Sequence, residues 1–204
     1  MGPNDLIRLH LTQWNRRSPF VVEDGLVQGL RQRSSTPEQA FDHLRQLNRS
    51  VEFWPALQDP EDAFWESHGL KEVRSNITTL NRFRLIQPQG APLTAWELWD
   101  KSDFLELLRW LETIEMRRHV VRKGHAQESK DGYNPIARLI HEGSHLEDIL
   151  ERLRKVCPRG GEFIYSFAGL SFSPKIPLSH WQARHLLMRI ERHLTRKSPA
   201  TKTP

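Results

Sequence analysis

One cysteine, Cys157, stands alone in 204 residues. A single thiol excludes an internal disulfide and a zinc ribbon, and it fits a reducing, cytoplasmic setting. No apolar run is long enough for a signal peptide or a membrane span, so no membrane partner is expected. Gly2 is followed by proline, and no serine or threonine stands at the myristoylation position. Strand signals are nearly missing: only Glu162–Phe172, EFIYSFAGLSF, has aromatic strand character, and it reads equally as a short helix. Internal repeats, low-complexity blocks and coiled-coil heptads are absent, as are a phosphate-binding glycine loop and a serine nucleophile elbow. Charge of one sign is also modest. Thirty Lys+Arg against 25 Asp+Glu leave +5, a surplus that permits phosphate contact without requiring it.

What remains is helical punctuation. Thr36-Pro37-Glu38-Gln39 combines a capping threonine, proline at the first helical position and glutamine three after the cap. The helix that follows carries Phe41, Leu44, Leu47, Val51 and Trp54, and Pro55 is expected to end or kink it. Asp59–Asp62 starts a short aromatic helix that stops near Gly69, and Val73–Leu85 follows. QPQGAP, Gln87–Pro92, reads as a loop, with Thr94 capping a short turn after it. Earlier, Asp5–Arg17 and the glycine-interrupted Phe20–Arg33 are weaker helix candidates. Seven tryptophans are expected to fill gaps between short helices.

Asp103–Lys123, DFLELLRWLETIEMRRHVVRK, is the longest amphipathic stretch, with Ser102 as its expected cap. Phe104, Leu107, Leu108, Leu111, Ile114 and Val121 recur on one face, and Arg118 falls on that stripe. A guanidinium there must be paired, so Arg118 is assigned a structural or interfacial role, with less exposure than Arg117. Beyond the polar segment Gly124–Gly132 come Pro135–His141, His145–Val156 and a final helix from His180.

His141-Glu142-Gly143-Ser144-His145 matches the zinc-protease pattern H-E-x-x-H. That chemistry needs both histidines on one continuous helix. Gly143 suits a break and a new helix is expected to begin near His145, so the two rings should straddle a turn. The ten histidines offer no other metal pair. No metal, cofactor or catalytic residue is assigned.

Three segments resemble one family. DLIRLHL (Asp5–Leu11), FLELLRWLETIEMRRHVV (Phe104–Val121) and ARHLLMRIERHL (Ala183–Leu194) are similar, in order and spacing, to the helical region of GmrSD-type restriction endonucleases. The resemblance implies the middle region of a prokaryotic anti-phage enzyme that pairs a ParB-like nucleotidase with an HNH nuclease. Neither catalytic signature occurs here, so the family's catalytic residues have no positions to map onto, and only Arg117 and Arg118 match a family pattern.

The expectation is therefore an all-α, irregular bundle of about nine helices. Residues 1–123 would form one helical lobe, 124–133 a hinge or loop, 134–196 a second lobe and 197–204 a disordered tail. The expected function is a non-catalytic coupling or DNA-contacting module of a GmrSD-type endonuclease. The alternative is a helical protein-interaction subunit, or an inhibitor-like partner of a separately encoded nuclease. Its partners would be DNA, through phosphates, and nuclease and nucleotidase domains or subunits. The candidate phosphate contacts are Arg117, Arg122, Lys123, Arg184, Arg189 and Arg192, where cation-rich helix ends can meet a backbone.

Overall fold

The computed structural model describes residues 31, 34–82, 89–121, 126–169, 184 and 186–191. Among these the chain is all-α, with no strand. In order, the elements are α1 (Pro37–Gln58), α2 (Ala63–Ser67), α3 (Val73–Arg82), α4 (Gly90–Leu98), α5 (Lys101–Val121), α6 (Ala126–His141), α7 (Leu146–Val156) and α8 (Gly160–Ala168). A further helical turn occupies 186–191. The helices expected over Asp5–Arg17 and most of Phe20–Arg33, and the tail, lie outside the described residues.

Local chemistry explains most boundaries. Thr36 caps α1 as expected, its hydroxyl accepting from the Gln39 amide at 3.3 Å. Pro55 does not end the helix, which runs three residues further. Asp62 caps α2, and Gly69, in the left-handed region at φ 70°, turns the chain out of it.

Three boundaries differ from the sequence reading. Gly90, Ala91 and Pro92 form the first turn of α4 rather than a loop, and Thr94 lies inside it, its hydroxyl donating to the Gly90 carbonyl at 3.0 Å. Proline is free of penalty in a first turn, where its missing N–H would have no partner. Asp100, not Ser102, caps α5: its carboxylate accepts from the Asp103 amide at 2.9 Å and the Ser102 hydroxyl at 3.0 Å. Those bonds hold the Asp100 carboxyl below its usual range. The expected hinge is helical from Ala126 onward, as the start of α6.

The core is one apolar cluster built around α4 and α5. α4 is buried on every side from Gly90 to Ala95 and packs against α1, α5 and α6. Small residues allow that approach: Ala91 and Ala95 on α4 and Ala137 on α6 are all sealed. α5 packs against α3, α4 and α7. Its expected stripe is buried from Phe104 through Leu107, Leu108 and Leu111 to Ile114, and the side chain of its last member, Val121, lies outside those described. Phe53 of α1 stacks on Trp96 at 5.0 Å and meets Trp65 and Phe104 edge-on. The Trp65 ring N–H donates to the Ala56 carbonyl at 3.0 Å, so its polar atom is satisfied at depth.

The compact division of the chain falls between Arg159 and Gly160, not at 124–133. The segment from Gly160 onward is a separate compact unit. Its α8 is a helix, which decides between the two readings of the aromatic segment. It buries no residue, leaving Ile164 and Tyr165 exposed, and Phe163 stacks on Phe167 at 5.9 Å.

Candidate functional site

α5 carries more than its apolar stripe. Glu112, Glu115 and Arg118, three residues apart, lie along the edge of its buried face, with 2 %, 2 % and 8 % exposure. Each is held. Glu112 accepts from the Asn76 amide and, at 2.7 Å, from the Thr79 hydroxyl, both on α3. Glu115 accepts from the Tyr133 hydroxyl of α6. Arg118 acts on the same Tyr133 hydroxyl, in the opposite sense. Burial, and then the Glu115 charge, push the Tyr133 hydroxyl well above its ordinary pKa, against the pull of Arg118. Arg118 is thus buried, as its place on the stripe requires, near a tyrosine that donates to a carboxylate. The two carboxylates escaped the sequence reading, although their three-residue spacing to Arg118 was a usable signal.

The arrangement ties α5 to α3 on one side and to α6 on the other. Sealed from solvent, it offers a substrate no approach among the described residues. Its chemistry is positional: buried carboxylates that accept from α3 and α6 favour one meeting of those faces.

The candidate phosphate contacts are scattered. Arg117 is half-buried and donates toward Cys157 Sγ at 3.6 Å. Arg184 is exposed and Arg189 half-buried, on the segment beyond Gly160. Arg122, Lys123 and Arg192 lie outside the described residues.

The two histidines of the H-E-x-x-H pattern are separated as expected. His141 ends α6, Gly143 sits at φ 91°, and His145 precedes α7 as its N-cap. Among the described residues no group of three His, Cys, Asp or Glu is placed to hold a metal. A groove of about 550 Å³ between α6 and α7 is lined by Ile136, Leu139 and Val156, together with Glu151 and Lys155, which pair with each other at 3.0 Å. No helix among the described residues is long and apolar enough to cross a membrane.

The outer side of α1 is unlike any other surface of the described residues before Gly160. Phe41 and Leu44 are 62 % and 63 % exposed, and Val51 47 %. Placed at 100° per residue, α1 divides into three sectors. His43, Ser50, Phe53, Ala56 and Leu57 face the core. Glu38, Asp42, Arg45, Arg49 and Glu52 form a single charged edge. Between them lies an outward sector, from Pro37 to Pro55, that contains no charged residue, although the Arg45 guanidinium of the charged edge lies over the Phe41 ring, 4.9 Å from its centre.

No protein family, no curated protein and no solved structure matches the chain.

Proposed function

We propose that the chain is a helical interaction module that works by docking the outer sector of α1 on a protein surface. One observation carries the reading: an apolar strip with Phe41, Leu44 and Val51 exposed, on a helix whose other apolar face is already buried. A surface helix normally needs one apolar stripe, and a second one facing water marks an interaction site. The strip has the three- and seven-residue anchor spacing by which helices enter apolar grooves. This is the protein-partner alternative of the sequence reading. A coupling role beside nuclease or nucleotidase parts of a GmrSD-type system is one setting in which such a module would work.

The DNA-contacting reading draws on the +5 charge and on exposed Arg184. Fluorescence anisotropy with a labelled duplex across a salt series separates the two. An interaction module binds duplex weakly or not at all, and Leu44→Glu leaves that signal unchanged. Tight binding whose log K falls steeply with log salt would replace the protein-docking reading with phosphate contact.

A further inference from the structure

We infer that the unit Gly160–Pro204 attaches the chain to an anionic lipid surface, through the outward faces of α8 and of the helical segment that ends at Glu191. No residue of α1 takes part, so the inference goes beyond the docking role proposed above and does not rest on it.

The chain's whole net charge lies in this unit. Gly160–Pro204 holds seven of the 30 Lys+Arg and two of the 25 Asp+Glu, which leaves 23 of each before it. Residues 1–159 are therefore neutral by formal charge, and the shorter unit carries all of the +5. A cationic surplus of that density draws an anionic partner.

The outward faces decide which anionic partner fits. Gly161, Ile164, Tyr165 and Ala168 stand at three- and four-residue spacing and all are exposed, so the outer face of α8 holds no charge. Ile164 is 66 % and Tyr165 83 % exposed. On the later segment Arg184, Leu187, Met188 and Glu191 share the exposed face, while Leu186, on the opposite side, is buried. A face built for nucleic-acid phosphates would lead with cations, and one built for bases would offer open rings. Here aliphatic groups lead, and Phe163 and Phe167 are half-buried and stacked on each other. Outward isoleucine, leucine and methionine, with a tyrosine, in a basic unit suit a helix lying in a membrane interface. The aliphatic groups enter the acyl boundary, the tyrosine sits at headgroup depth and the cations meet lipid phosphates. Such a helix needs no spanning length: α8 is about 14 Å long, against a hydrocarbon core of about 30 Å. Attachment is therefore shallow and reversible, and it depends on charge and apolar contact together.

The test uses the whole chain and vesicles of defined composition. Phosphatidylcholine vesicles with about a third phosphatidylserine should co-sediment the protein at low salt, pure phosphatidylcholine should retain little, and about 0.5 M salt should release it. Ile164→Ser combined with Leu187→Ser keeps every charge and should weaken partitioning about tenfold or more, with an unchanged circular dichroism spectrum. In a Cys157→Ser background, an environment-sensitive fluorophore on Ile164→Cys should brighten on anionic vesicles, and one on Glu72→Cys, exposed on the other unit, should not. Leu44→Glu should leave vesicle binding unchanged, which separates this inference from docking by α1. No retention by anionic vesicles at low salt overturns it. Retention untouched by the paired serine changes, or a silent fluorophore at 164, overturns it too, because charge alone then accounts for the binding. A labelled duplex held more tightly than the vesicles assigns the unit to nucleic acid instead. Loss of vesicle binding in Leu44→Glu moves the contact to α1 and likewise overturns the inference.

Discussion

α1 and α5 are nearly the same length, 22 and 21 residues, and each breaks the usual rule in the opposite direction. α5 buries two carboxylates and a guanidinium. α1 leaves phenylalanine, leucine and valine in water. The buried charges of α5 have partners inside the chain, on α3 and α6, so they serve its internal register. Of the exposed apolar residues of α1, Phe41 meets only the Arg45 guanidinium of its own helix, and that contact joins α1 to no other element. Polar groups misplaced inward and met by partners speak of architecture, and apolar groups misplaced outward speak of association.

The contrast breaks most severely at Glu115. Glu115→Ala strips the Tyr133 hydroxyl of its acceptor and leaves Arg118 buried without the nearby carboxylate; urea denaturation should show a loss of about 3–5 kcal/mol. Arg118→Ala should cost about 2–4 kcal/mol for the same reason, while Arg117→Ala, half-buried and resting on a thiol, should cost less than about 1 kcal/mol. Equal midpoints for the two arginine variants would mean the stripe position of Arg118 has no energetic content. Tyr133→Phe should cost about 1–3 kcal/mol through the acceptor left bare.

The same tyrosine gives a pH signature. Its folded pKa is raised, so the native state keeps a proton that the unfolded state releases. Stability is full below the unfolded value of about 10 and declines as pH rises above it. Tyr133→Phe should remove that part of the decline in alkaline melts.

A smaller effect is expected at the junction of α1 and α4. Glu97 is largely buried and its pKa is raised by burial, only partly countered by the Ser50 hydrogen bond and by Arg49. Its folded form favours the proton, so its contribution to stability falls as pH climbs past the ordinary glutamate value of 4.5. Glu97→Gln should match wild type in melting temperature near pH 4 and exceed it at pH 7. An advantage equal at both values would refute a cause in ionisation.

The smallest change sharpens the comparison from the other side. Phe41→Ser and Leu44→Ser should move the denaturation midpoint of dilute protein by no more than about 0.5 kcal/mol, as expected for surface positions. A loss of several kcal/mol would mean that the strip belongs to the core of its own chain.

The sequence alone determined the helical class, the cap at Thr36, the buried stripe from Phe104 to Ile114, the inward place of Arg118 and the break between His141 and His145. These are local or periodic properties: caps, glycine turns and 3.6-residue spacing are written in consecutive residues. Tertiary structure decided the rest. Gly90–Pro92 became helix because a segment buried on all sides must satisfy its own backbone bonds. The expected hinge became α6 because Tyr133, Ile136 and Ile140 have a core to enter. Glu112 and Glu115 are ordinary surface residues by type, and only α3 and α6, brought alongside, make their burial tolerable. Periodicity marked Phe41, Leu44 and Val51 as apolar, but which of the two faces of α1 meets the core depended on where Phe53 found Trp65 and Trp96.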